Sequence, residues 1–197
     1  TIIIKNFIMD NLKDFIYIEE NTLSKDFCNH CIKKFENDDR KCIGVFNNGN
    51  SGMPVVDNAV KQSTDLYISS ESDWNEENLT FDKSLSEHYE SYVGKTFSEK
   101  YRNDFHARSK GFQIQRTKPG QFYRYHSDSY RDRLVTYIWY LNDIFEDGYT
   151  EFEFGLKVQP RTGKILLFPA TWQYLHRGYP PKSETKYLCT GWLYFAS

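Results

Sequence analysis

From Lys110 to the C-terminus the chain reads as seven short runs of strand-forming residues, "KGFQIQRT", "FYRYHSD", "RLVTYIWYLND", "YTEFEF", "KILLFPA", "YLHRGY" and "KYLCTGWLYF". Turn signals separate them, among them Pro119-Gly120, Asp147-Gly148 and Pro160 to Gly163. Several short strands at that spacing build a sandwich or a barrel-like jelly roll and little else. The aromatic content of 17%, with 15 Tyr and 15 Phe, agrees, because flat rings pack well on a pleated surface.

The first half has a different texture. "DFIYIE" (14–19) and "DLYIS" (65–69) read as short strands. Ser24 is placed as a helix N-cap, and Phe27, Cys28, Cys31, Ile32 and Phe35 follow it as an apolar helical stripe. Leu85, Tyr89, Tyr92, Val93, Phe97 and Tyr101 recur at helical spacing and predict a longer helix from about 81 to 101. Residues 44–58, rich in Gly and Asn and without period, read as a loop and a candidate lid. No linker or internal repeat divides the 197 residues, so one domain is expected over 1–197, with 1–110 as helical support and lid and 111–197 as the catalytic core. The fold class is α+β, mainly β: a double-stranded β-helix (jelly roll) buttressed by N-terminal helices.

Several function classes drop out. A net charge of −2 with scattered Lys and Arg gives no electrostatic footprint for nucleic acid, which disfavours nucleic-acid demethylation. No apolar run is long enough to span a membrane, and "TIIIKNFIMDNL" lacks the form of a signal peptide, so the expected compartment is cytoplasmic. Cys28-x-x-Cys31 has no second pair to complete a zinc site, and both cysteines fall on the helical stripe, so core packing is the simpler reading.

One constellation carries chemistry. His126 and Asp128 lie two apart in a strand context, so both side chains project to one face about 7 Å apart at the backbone. His88 and Glu90 have the same spacing inside a helical pattern, where residues two apart diverge by about 200°. His176, after the strand "ILLF", supplies a third candidate, and two histidines with one carboxylate form the site of non-haem iron(II) oxygenases. Lys186, opening the last strand, is placed to pair with the far carboxylate of a dicarboxylic co-substrate.

Residues 112–195 resemble the iron(II)- and 2-oxoglutarate-dependent dioxygenases, in their prolyl 4-hydroxylase-like branch. The pattern is carried in order by His126 and Asp128; Arg133, Thr136, Tyr140, Leu141 and Asn142; Gly148, Thr150 and Phe152; Pro160 and Gly163; and His176, Gly178, Pro180, Lys186 and Trp192. Asp147, Pro181 and Glu184 depart from it without touching a presumed ligand. The resemblance implies an iron(II) site on His126, Asp128 and His176. It also implies 2-oxoglutarate held by Lys186 and Tyr140 with Thr190 and Trp192 nearby, O₂ as oxidant, and ascorbate as an optional addition. Strand parity agrees: Thr136, Ile138 and Tyr140 share one face of their strand, and Lys186, Leu188, Thr190 and Trp192 share one face of theirs. The family also puts Tyr123 beside the substrate. Strict alternation would set it opposite His126, so regular strand is expected only from about Tyr125. Arg133 reads equally as a substrate contact or a surface ion pair.

The implied activity is hydroxylation of a C–H bond, with C4 of a prolyl residue in a peptide or protein as the branch's substrate. A free amino acid, a small metabolite, or a non-catalytic jelly-roll binding module are the competing readings, and iron-dependent succinate release separates the last from the others.

Overall fold

The computed structural model describes residues 11–47, 54–100 and 106–195. In chain order the elements are β1 (Tyr17–Glu19), α1 (Lys25–Asn37), β2 (Cys42–Ile43), β3 (Phe46–Asn47), β4 (Pro54–Val55), β5 (Thr64–Tyr67), a 3₁₀ turn (Ser72–Trp74) and α2 (Asn75–Thr96). There follow β6 (Ala107–Ser109), β7 (Gln113–Thr117), β8 (Tyr123–His126), β9 (Arg133–Tyr140), β10 (Thr150–Phe152), β11 (Lys157–Val158), β12 (Ile165–Pro169), β13 (His176–Gly178) and β14 (Lys186–Phe195).

Two antiparallel sheets face each other. The larger runs β1-β12-β9-β14-β7-β5-β2, with β6 on the end of β14, and the smaller runs β11-β10-β13-β8. This is the expected double-stranded β-helix. Alternation along β9 sorts its side chains. Val135, Tyr137, Trp139 and Leu141 join one core, which also takes Cys28, Cys31 and Phe35 of α1 and Phe81, Leu85 and Tyr92 of α2. Ile138 and Tyr140 join the other, between the sheets, with Phe152, Leu166, Phe168 and Leu188. Phe152 of the small sheet meets Phe168 of the large one edge-on at 5.0 Å, so the two sheets close tightly at that end.

Ser24 caps α1 as expected, its hydroxyl accepting from the Phe27 N–H at 3.2 Å. The Cys28 and Cys31 thiols are buried and unbridged, in keeping with their place on the stripe. Three expectations need correction. The helix expected from about 81 begins at Asn75, since its first turn carries Glu76 and Glu77, favoured at a helix N-terminus but invisible to an apolar count. Glu77 is buried there against Lys34 at 2.8 Å and His30 at 2.6 Å. The same helix ends at Thr96, where Phe97 turns extended (φ −119°, ψ 148°); Tyr101 lies outside the described residues. The expected loop 44–58 contains a small hairpin, Phe46 pairing Val55 and Asn47 pairing Pro54, whose tip lies outside the described residues. No helix among the described residues is long and apolar enough to cross a membrane.

Candidate metal centre and cavity

β8 is the edge of the small sheet, and its pairing with β13 is irregular. His126 faces His176 and Tyr123 faces Gly178, so three steps on β8 match two on β13. The extra residue is a β-bulge, and it turns Tyr123 onto the same side as His126. The two rings stack with centroids 3.6 Å apart. The strand therefore starts at Tyr123 rather than near Tyr125, with the bulge between Tyr123 and His126, and the parity objection to Tyr123 disappears.

Asp128 follows β8 where the backbone leaves the sheet. Its Oδ1 lies 3.8 Å from His126 Nε2 and its Oδ2 lies 3.7 Å from His176 Nε2. His126, Asp128 and His176 form the one group of three or more metal-ligating side chains found among the described residues, with ligand atoms all within 4.8 Å of one another. Each histidine is fixed through its other nitrogen: His126 Nδ1 to Arg124 O at 2.9 Å and His176 Nδ1 to Tyr174 O at 3.0 Å. A carbonyl only accepts, so both Nδ1 atoms carry the proton and both Nε2 lone pairs are left for a cation. Thr136 donates to Asp128 Oδ2 at 2.7 Å and orients the carboxylate from the large sheet.

The electrostatics suit a cation. Burial, with His176 beside it, lowers His126 to about 3, so its ring is neutral. Burial pushes Asp128 up, but the two imidazoles and the Thr136 hydroxyl outweigh it and leave the carboxyl below its usual range. The neutral His126 ring, the His176 imidazole held through its Nδ1, and a carboxylate on one side fit a divalent first-row metal.

A cavity of about 530 Å³ opens beside this cluster, with the exposed Ser127 and Ser129 at its mouth. Its floor is the inner face of the large sheet, and Lys186, only 2% exposed, stands at one end. The Lys186 ammonium donates to Gly148 O at 2.9 Å. Among the described residues no acid lies at ion-pair distance from it, and burial lowers it to about 8. The carbonyl it meets sits in a turn where Asp147 (φ 60°) and Gly148 (φ 65°) are both left-handed. Asp tolerates that region, which explains how it stands where the family pattern has Gly.

Tyr140 does not line the cavity, contrary to the sequence reading. Its hydroxyl is turned onto Thr150 Oγ1 at 2.6 Å, and Thr150 takes its place in the wall. Parity sent Tyr140 to the correct face, but the partner across the sheets decided where the hydroxyl ends. Thr190 and Trp192 do line the cavity; the Thr190 hydroxyl donates to Tyr137 O at 2.7 Å, while the buried Trp192 Nε1 has no partner. Arg133 lies in the wall with its guanidinium 3.4 Å over the Trp192 ring, not in an ion pair among the described residues. His88 is inside α2 and bonds the Tyr17 hydroxyl at 3.1 Å, well apart from the cluster.

The sequence reading missed what the first half brings. Lys61 and Asp65 form a buried pair at 2.7 Å, and Lys61 bridges Tyr123 so that residues 60–62 extend the small sheet beyond β8. Lys61, Tyr67, Gln113, Val45 and Phe46 all line the cavity. Gln113 and Tyr67 are carried there by the strand order β14-β7-β5 and Lys61 by its bridge to Tyr123, while Val45 and Phe46 belong to the 44–58 segment read from the sequence as a candidate lid.

The sequence profile of the 2OG-Fe(II) oxygenase superfamily matches residues 112–194. The chain is 27% identical over 179 residues to the "Putative prolyl 4-hydroxylase" of Acanthamoeba polyphaga mimivirus, covering 77% of this chain and 68% of that protein. A prolyl hydroxylase from Trichoplax adhaerens, solved with a hypoxia inducible factor peptide fragment, superposes with a TM-score of 0.73 at 17% identity over 98% of this chain and 89% of that one. The viral collagen prolyl hydroxylase of Paramecium Bursaria Chlorella virus-1 gives 0.64 at 18% identity, over 92% and 97% of the two chains. A Pseudomonas putida prolyl-4-hydroxylase gives 0.59 at 15% identity, over 98% and 100%. At these identities the structural likeness concerns the fold.

Proposed function

We propose, on the premise that this chain belongs to the 2OG-Fe(II) oxygenase superfamily in its prolyl 4-hydroxylase-like branch, that it hydroxylates C4 of prolyl residues in a peptide or protein. The observation that carries the reading is the convergence of His126, Asp128 and His176 beside a cavity that ends on a buried, acid-free Lys186. Those three side chains would hold iron(II), through the two Nε2 atoms and the Asp128 carboxylate. Bound there with 2-oxoglutarate and O₂, iron(II) supplies the oxidative chemistry, in which the co-substrate leaves as succinate and CO₂ and one oxygen enters the substrate.

The protein's own part is placement. Lys186 holds the far carboxylate of 2-oxoglutarate, a charge-assisted contact made by a buried ammonium. Thr150 stands beside it, with Tyr140 behind, fixing the Thr150 hydroxyl. Tyr123 keeps the His126 ring in place by stacking on it, and Arg133 with Trp192 forms a flat platform on the substrate side. A prolyl ring has no N–H, so its recognition rests on such flat walls and on contacts to neighbouring carbonyls. The likeness to the mimivirus putative prolyl 4-hydroxylase and to the peptide-bound Trichoplax prolyl hydroxylase supports proline in a peptide over a free amino acid.

The test is to incubate iron(II)-loaded protein with 2-oxoglutarate and proline-containing peptides, with and without ascorbate, and to look for one added oxygen by mass spectrometry. Succinate formed without any oxygenated peptide, but with an oxygenated free amino acid, would move the substrate to the small molecule.

A further inference from the structure

Gln113 lines the cavity and takes no part in the chemistry above. It lies on β7 in register with Thr190 of β14 on one side and Tyr67 of β5 on the other, and all three line the cavity floor. The residue is 5% exposed, and its buried Oε1 has no hydrogen-bond partner among the described residues. A buried carbonyl oxygen left unmet is costly, so one beside a cavity calls for a partner, and a bound ligand can supply it.

The location narrows the ligand. Thr136, which holds Asp128, faces Trp192 across β9 and β14, and Gln113 faces Thr190 across β14 and β7. Two strand spacings and two residues separate Thr136 from Gln113, about 12 Å at the backbone. An extended peptide covers that in about three residues. A carboxamide carries one acceptor and two donors, so it can exchange a pair of hydrogen bonds with the N–H and C=O of a peptide group.

Resting on the proline-peptide reading, we propose that Gln113 recognises a backbone peptide group of the substrate within about three residues of the hydroxylated proline, the carboxamide turning its Oε1 into the cavity to accept that group's N–H. Gln113 is thus a specificity residue that favours a chain over a free amino acid.

The experiment is a cycle between protein and peptide. An acetylated, amidated Pro-Ala-Gly repeat peptide is compared with versions in which one backbone amide at a time is replaced by an ester, which removes the N–H and keeps the shape. Binding is measured by calorimetry on protein loaded with Mn(II) and 2-oxoglutarate, and KM is measured on the iron form. One ester position should weaken binding to the unsubstituted protein by about 2- to 10-fold, the weight of one net hydrogen bond. In Gln113→Met, or in Gln113→Leu should the first variant fail to fold, the amide and ester versions at that position should bind alike. A loss at that position undiminished in the variants, or no sensitive position at all, overturns the proposal. If the unsubstituted protein neither binds nor hydroxylates any prolyl peptide, the proline reading fails first and the role of Gln113 falls with it, an outcome seen before any variant is made.

Discussion

Replacing Lys186 with Met should make the ligand-free protein more stable while crippling its use of 2-oxoglutarate. The ammonium is 2% exposed, and burial lowers it from its usual 10.5 to about 8. At about 1.4 kcal/mol for each pH unit, holding that charge in the fold at neutral pH costs roughly 3 kcal/mol. The hydrogen bond to Gly148 O offsets about 1 kcal/mol of any gain, because Met leaves that carbonyl unmet. A net stabilisation of about 2 kcal/mol remains, or about 4–8 °C in Tm for a chain of this size. The sign has a pH signature. A lysine whose folded pKa is depressed destabilises most below that pKa, and the penalty fades as pH rises from about 8 to the unfolded value of 10.5. The gap between Lys186→Met and the parent in thermal or urea unfolding should therefore be widest below pH 8 and close towards 10.5. Adding 2-oxoglutarate should raise the Tm of the parent and leave the variant almost unmoved, since only the parent keeps the counter-charge. A variant that melts at or below the parent at neutral pH, or that keeps the parent's 2-oxoglutarate requirement, would refute the account of Lys186 as a cation waiting for its carboxylate.

His126→Ala and Asp128→Ala should each abolish turnover and metal binding, with circular dichroism unchanged, whereas Lys186→Met should still bind metal. Stability of the metal-free protein should fall as pH drops below about 6.5, because His126, lowered to about 3, and Asp128, also lowered, take up protons in the unfolded chain before the folded one; a pH-independent Tm between pH 7 and 5 would contradict this. Tyr140→Phe should cost about 1 kcal/mol of stability through the lost bond to Thr150 and raise the 2-oxoglutarate KM less than Lys186→Met does. Gly163→Ala should destabilise by more than about 1 kcal/mol, since the glycine has φ +76° and a Cβ there would sit 2.2 Å from Leu23 O, a clash readable by urea unfolding.

The sequence by itself determined whatever depends on neighbours along the chain. Alternation in β9 set Tyr137 and Trp139 on one face and Thr136, Ile138 and Tyr140 on the other, because a strand has a period of two wherever it is regular; which face meets the helices came from the fold. The same rule paired His126 with Asp128 and dismissed His88 with Glu90. Residue type and order then brought in His176 and Lys186. The tertiary structure decided what depends on a partner strand. The bulge between β8 and β13 put Tyr123 over His126, against strict alternation, because a bulge is a property of two strands at once. Thr150, arriving from the small sheet, took the Tyr140 hydroxyl that parity alone would have left to the cavity. The first turn of α2 stayed hidden because its stabilising contacts, Glu77 with Lys34 and His30, are polar and come from another helix. Gln113 and Tyr67 reached the cavity through the order in which β14, β7 and β5 lie side by side, and Lys61 through its bridge to Tyr123, long-range pairings that no local run of residues records.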